Sequence, residues 1–93
     1  MSDERFSSVW DAIEDTPAAA ANLELRSALM IALEEHIERR GWTQAEAVRR
    51  FGVTQPRVSD LMRGKVDLFG LDTLVNMAVA AGLHVEMRLA DAA

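Results

Sequence analysis

Apolar residues recur every three to four positions along most of this chain, which is the period of an amphipathic helix. The longest such stretch covers residues 18–40, and shorter ones cover residues 1–16, 43–51, 54–64 and 71–82. Thr16, Thr43 and Thr54 stand where helix N-caps are expected, and a glycine ends each of the last four stretches. The pattern predicts a mainly α domain with five helices.

The long stretch is expected to supply the first wall of the core. One face is predicted to hold Leu25, Leu29, Ala32, Leu33, His36 and Ile37, widened by Leu23, Met30 and Ile31. We interpret His36 as a residue at the edge of the core rather than a metal ligand. Further along, Thr43 and Glu46 have the spacing of a reciprocal capping box. Residues 67–70 read as a turn.

The period changes to two at the end of the chain, which is typical of a strand. The segment predicted to pair contains Leu83, Val85, Glu86, Met87, Arg88 and Leu89. A lone strand leaves its backbone groups without partners, so we expect antiparallel pairing with the same strand of a second copy. Centring that pair on Met87 places Glu86 opposite Arg88. The alternative is a tail that packs alone or is disordered.

Charge is distributed unevenly along the 93 residues. The net charge is −5, yet residues 39–65 alone carry +5, between −7 in residues 1–38 and −3 in residues 66–93. The acidic total argues against nucleic acid, whereas a basic block can neutralise phosphates. From charge alone, a merely solvated surface explains the block equally well.

Residues 43–64 add a motif to that basic block. Two short helices meet at Gly52, and Ala47, Phe51, Val53, Val58 and Leu61 have the spacing of buried positions in a helix-turn-helix. The first residues of the second helix are polar, as expected of a helix whose N-terminal end enters the major groove of DNA. We predict base contacts by Gln55, Arg57, Ser59 and Asp60, and phosphate contacts by Thr43, Gln44, Thr54, Arg63 and Lys65. A helical hairpin used only for packing is the alternative.

Residues 42–65, WTQAEAVRRFGVTQPRVSDLMRGK, resemble the helix-turn-helix of the XRE (Cro/C1-type) repressor family. More loosely, residues 20–89 resemble the small XRE proteins that act as HigA-type antitoxins. The resemblance implies a lambda-repressor-like fold and a DNA-binding dimer that represses its own operon. It also implies a toxin partner, usually a small RelE/HigB-like ribonuclease. Val48 departs from the alanine common in the family at the close approach of the two helices.

Catalysis has little support in the composition. The chain has no cysteine and only His36 and His84, which match no zinc-site spacing and no nucleophile–base pair. We therefore expect no enzyme activity, no metal and no cofactor. No apolar run reaches the length of a membrane span, and the acidic residues after Met1 do not fit a secretion signal. A bacterial cytoplasmic protein, associated with the nucleoid when bound to DNA, is expected.

The predicted organisation has three parts: an acidic segment over residues 1–16, a DNA-binding domain over 17–82 and a dimerisation strand and tail over 83–93. In the first part, Phe6, Val9, Trp10 and Ile13 either dock on a basic partner or cap the chain's own core. The leading hypothesis is an autorepressor of a palindromic operator that also neutralises a basic toxin. The alternatives are a stand-alone phage-type or metabolic regulator, and a toxin-binding protein that has lost operator binding.

Overall fold

Four α-helices account for most of residues 16–91, the part of the chain that this computed structural model describes. They are α1 (Pro17–Arg40), α2 (Gln44–Phe51), α3 (Gln55–Met62) and α4 (Leu71–Ala80). A short 3₁₀-helix, Val66–Leu68, follows α3. The turn predicted over residues 67–70 begins one residue after the start of this helix. The mainly helical prediction is confirmed. The predicted first helix, in residues 1–16, lies almost wholly outside the described residues.

Helix α1 begins and ends where its capping residues dictate. The Thr16 hydroxyl accepts a hydrogen bond from the Ala19 amide at 3.1 Å, and Pro17 occupies the first turn, where its missing N–H costs nothing. At the other end Gly41 adopts a φ of 67°, and its amide donates to the last turn of the helix. The sequence therefore located this helix to within one residue.

The core lies where all four helices meet. Leu33, Val58, Leu61 and Leu74 are completely buried, one from each of α1 and α4 and two from α3. The other apolar members are Met30, Ile37, Ala47, Phe51, Phe69, Met77 and Ala78. Burying a large apolar side chain contributes about 1.5–3 kcal/mol, so these residues provide most of the driving force for folding. The burial of Phe69 was not predicted, because the sequence predicted a turn over residues 67–70.

The predicted apolar face of α1 needs a correction. Met30, Leu33, His36 and Ile37 are buried, but Leu25 on the predicted face is 53% exposed. Helix α1 is about 36 Å long at 1.5 Å per residue and carries apolar residues on more than one face. Only the strip that meets the other helices is covered, and an apolar strip remains outside.

The predicted C-terminal strand is not formed by the single chain. Residues 83–91 have no regular secondary structure, and within residues 16–91 no strand is present. The amide of Leu83 donates to the Ala78 carbonyl at 2.9 Å, which ties the start of the tail to α4. A strand is defined by backbone pairing, and no second extended segment lies in the described part of the chain to supply it.

His36 is a buried polar residue in the core. Its side chain packs edge-on against Trp42, with ring centroids 5.0 Å apart, and its Nε2 atom is buried with no hydrogen-bond partner. Burial lowers the pKa of His36 below its ordinary value of 6.5, and the nearby Arg40 and Arg39 lower it further. The imidazole is therefore neutral in the folded protein at neutral pH.

The depressed pKa of His36 predicts that acid weakens the fold. The unfolded chain takes up this proton near pH 6.5 while the folded chain resists it, so the free energy of unfolding falls as pH drops below 6.5. One proton limits the slope to about 1.4 kcal/mol per pH unit. Urea denaturation between pH 7.5 and 5.5 should show a steeper loss for the parent than for His36→Phe.

The second histidine provides a matched control variant, His84→Gln, because His84 lies exposed in the tail. Equal slopes for the parent and His36→Phe would show that His36 does not couple folding to protons.

Candidate nucleic-acid interface

Helices α2 and α3 form a hairpin whose inner side is buried. Ala47 and Val58 are completely buried and Phe51 is 2% exposed, so the two helices are fixed against each other and against the core shared with α1 and α4. The turn between them needs the left-handed backbone at Gly52, whose φ is 70°. The half-buried Val48 accepts, through its carbonyl, the amide protons of Gly52 at 2.9 Å and Val53 at 3.3 Å. This arrangement leaves the N-terminal ends of both helices at the surface.

Those two N-terminal ends lie side by side. The amide group of the Gln55 side chain donates to Oε1 of Gln44 at 3.2 Å, which joins the first residues of α3 and α2. The Thr43 hydroxyl accepts from the Glu46 amide at 3.1 Å, and the Thr54 hydroxyl from the Arg57 amide at 3.4 Å. The remaining N–H groups of the first turns and the helix dipoles favour an anion at this surface.

Only one of the two hydrogen bonds of the predicted capping box is formed. Thr43 caps α2 as expected, but both carboxylate oxygens of Glu46 bind arginine, at 2.5 Å from Arg49 and 2.6 Å from Arg50. Hydrogen bonds from Arg49 and then Arg50 hold the pKa of Glu46 below its usual range. Arg50 also lies over the Trp42 ring, 5.4 Å from its centroid. A long arginine reaches a carboxylate one turn away more easily than the carboxylate reaches back to the cap.

Arg57, a predicted base-contacting residue, is turned toward its own chain. Its guanidinium donates to the Leu68 carbonyl at 2.6 Å and stacks on Phe69, 4.9 Å from the ring centroid. The side chain is half-buried, and its two contacts link α3 to the segment that follows it. To contact a base, Arg57 would have to give up its contacts with Leu68 and Phe69.

A second arginine holds the same segment from the other side. Arg26 of α1 donates to the Val66 carbonyl at 3.0 Å and to the side chain of Asn22 at 2.5 Å. This role of Arg26 could not be predicted from the sequence, since no local spacing relates Arg26 to a residue 40 positions later. The 3₁₀-helix is thus fixed by two guanidinium groups, which explains how Phe69 reaches the core.

The other predicted DNA-contacting residues occupy different parts of this surface. Gln55, Thr54, Gln44 and Thr43 are exposed at the paired helix ends, as a contact with DNA requires. Ser59 and Asp60 lie a turn further along α3 and are half-buried, while Arg63 and Lys65 are exposed beyond its C-terminal end. The hairpin therefore brings the helix-start residues together and leaves Arg63 and Lys65 at its far end.

The predicted dimerisation residues lie apart from the hairpin. Leu83 is half-buried, whereas Val85, Glu86, Met87, Arg88 and Leu89 are exposed. His84 and Glu86 approach each other to 3.4 Å at the surface of this tail.

Other kinds of site find no counterpart among residues 16–91. No cluster of three or more histidine, aspartate or glutamate side chains there could hold a metal ion. None of the described helices is long and apolar enough to cross a membrane.

The comparison with known families agrees with this geometry. A family model described as a helix-turn-helix domain matches residues 12–90, which include the whole hairpin and most of the tail. No protein among the curated sequences matches the chain.

The two contacts of Arg57 predict a structural cost for its removal. Arg57→Ala should lower the free energy of unfolding by about 1–2 kcal/mol, because Leu68 loses a charged donor and Phe69 a stacked cation. Arg57→Lys should recover part of this, since an ammonium can donate without stacking as a plane. Urea denaturation measures both.

Arg63→Ala is the matched control, because Arg63 is exposed and should change stability by less than about 0.5 kcal/mol. If Arg57→Ala is as stable as Arg63→Ala, the contacts with Leu68 and Phe69 are not structural anchors.

Proposed function

We propose that this chain, which belongs to the helix-turn-helix domain family, is a sequence-specific repressor that reads DNA with the start of α3. The main support for this proposal is the hydrogen bond between Gln55 and Gln44, which joins two exposed, polar helix N-termini. Exposed basic residues, Arg63 and Lys65, follow α3. The protein acts by binding and not by catalysis.

The start of α3 fits direct readout in the major groove. A helix with its side chains is about 10–12 Å across and the major groove is about 12 Å wide, so the start of α3 can enter it. Gln55 at its first turn is placed to offer a donor and an acceptor to adenine. Because Arg57 is committed to Leu68 and Phe69, Gln55 is the stronger candidate for base reading, with Ser59 and Asp60 further along.

The neighbouring groups then fix the orientation on the duplex. The first turn of α2, with Thr43 and Gln44, presents amide N–H groups to a phosphate, and Thr54 does the same at α3. Arg63 and Lys65 contact the backbone beyond the other end of α3. These contacts supply affinity without sequence preference, whereas Gln55 supplies the preference.

The repressor works as a homodimer on a palindromic operator. Two recognition helices one DNA turn apart read two half-sites, which gives more selectivity than one helix. The tail supports this proposal, because Val85, Met87 and Leu89 are 37%, 75% and 91% exposed, an unusual run of open apolar side chains. Antiparallel pairing of two tails about Met87 would join Glu86 of each copy to Arg88 of the other.

We further propose that the protein is the antitoxin of a type II toxin–antitoxin pair in the bacterial cytoplasm, repressing its own operon. Its partner would be a small basic RelE/HigB-like ribonuclease. The support is the resemblance over residues 20–89 together with the acidic surface of α1, where Glu24, Glu35 and Glu38 are exposed. Burial first, and then the charges of Glu38 and Glu35, raise the pKa of Glu34, so negative charge is crowded there. A basic partner would relieve this repulsion.

Base reading by Gln55 is tested by comparing specific with non-specific DNA. Gln55→Ala should weaken binding to the chain's own operator by about 1–3 kcal/mol and leave binding to random DNA unchanged. Lys65→Ala should weaken both and reduce the slope of log affinity against log salt by about one. Fluorescence anisotropy titrations at several salt concentrations measure these effects.

Asn76→Ala provides the control, since Asn76 is an exposed amide on α4, outside the hairpin. Operator binding by Gln55→Ala equal to that of Asn76→Ala would place the base-reading surface elsewhere on the protein.

The antitoxin proposal is tested with the product of the adjacent gene. Reversing charge on α1 with Glu35→Lys and Glu38→Lys should slow association with that protein, most strongly at low ionic strength, because charge attraction steers the encounter. Operator affinity of the same double variant should not fall. Asp72→Lys with Asp91→Lys, an equal change of net charge placed outside α1, should associate like the parent. Surface plasmon resonance gives the rates.

If the parent protein does not bind the product of either adjacent gene, the antitoxin proposal is wrong. A specific operator complex with no such partner would identify a stand-alone regulator.

A further inference from the structure

An open apolar groove runs between α1 and α4 on the outside of the domain. Leu25, Leu29 and Ala32 line it from α1, and Leu71 and Val75 from α4. The tail closes one side with residues 85–88, and the space amounts to about 320 Å³. Leu25 is 53% exposed here, so this is the apolar strip of α1 that the core does not cover.

The chemistry of the groove favours protein side chains over a small ligand. Apart from Glu86 and Arg88 of the tail, every residue that lines it is apolar. A small-molecule site needs several fixed polar groups to orient its ligand, and the helical walls of this groove offer none. Exposed apolar surface of this kind instead marks a place where another polypeptide packs.

We infer that the tail of a second copy of this chain fills the groove, so that the dimer is held by tail and groove together. The inference rests on the proposed homodimer and adds the surface on which its paired tails lie. The support for this inference is that the groove adjoins the proposed pairing segment, because the tail that is proposed to pair also forms one side of the groove. A strand that pairs with the groove-side edge of this tail would lie about 4.8 Å from it, over the open space.

The exposure of the tail fits the same arrangement. Met87 is 75% and Leu89 91% exposed, so the apolar side of the tail is not covered by residues 16–91 of its own chain. In a pair centred on Met87, the apolar side chains of both tails share one face of the ribbon. That face and the groove are both apolar and adjacent, so closing one on the other removes two open surfaces from water.

Two leucine-sized residues on the same helix allow a matched test. Leu25 and Ile31 are both 53% exposed on α1, but only Leu25 lines the groove. Leu25→Glu should weaken the dimer at least about tenfold, because each of the two grooves would bury a carboxylate. Ile31→Glu should leave the dimer dissociation constant unchanged. Sedimentation equilibrium of the full chain over a concentration series measures both constants.

Mixing two variants tests whether the occupant comes from the other copy. Leu25→Glu and Met87→Lys chains, each impaired alone, should form a heterodimer when combined, since the lysine of one tail enters the groove that carries the glutamate. If the tail filled its own groove, mixing would restore nothing, and that result overturns the inference. A dimer unaffected by Leu25→Glu also overturns it.

Different results would show that the groove contact is wrong and that the proposed dimer is wrong. Glu86→Arg should weaken tail pairing and Glu86→Arg with Arg88→Glu should restore it. If that charge swap behaves as expected while Leu25→Glu has no effect, the paired tails stand and only the groove contact is wrong. A parent chain that stays monomeric both free and on operator DNA removes the proposed dimer and the inference with it.

Discussion

The whole arrangement depends on burying two helices that are too short to be stable alone. Helices α2 and α3 have eight residues each, whereas isolated helices below about 12–15 residues are marginal in water. Ala47, Val58 and Leu61 are completely buried within the shared hydrophobic core, so tertiary packing and not helix propensity holds the hairpin. Because the packed side is fixed, the polar starts of both helices are fixed at the surface.

Charge has two structural uses here besides any attraction to DNA. Arg49 and Arg50 bind Glu46, while Arg57 and Arg26 bind the carbonyls of Leu68 and Val66 around the 3₁₀-helix. Three of the seven basic residues in residues 39–65, Arg49, Arg50 and Arg57, are therefore engaged within the chain. Among the predicted phosphate-contacting residues, the exposed positive charge lies at Arg63 and Lys65. The net +5 of this block indicates where DNA binds, but it overstates how many cations are available for it.

The sequence predicted best where local rules decide the outcome. Thr16, Thr43 and Thr54 cap the helices they were expected to cap, and Gly52 adopts the left-handed turn, since capping and positive φ are properties of a few adjacent residues. Long-range contacts were not predictable in the same way. Nothing near Phe69 shows that Arg57 stacks on it, and the periodicity of α1 could not tell which of its apolar strips meets the other helices. The C-terminal alternation forms no strand within residues 16–91, because a strand needs a paired neighbour and no such neighbour is present there.

We propose that the start of α3, presented twice by a homodimer, reads a palindrome in the chain's own promoter. A hydroxyl-radical footprint on that promoter, with and without the product of the adjacent gene, tests it most directly. We expect two protected half-sites with centres about 10 base pairs apart, or a multiple of that spacing, and a changed pattern when the adjacent gene product is added. Uniform weak protection across the promoter, identical to that on random DNA, would contradict it.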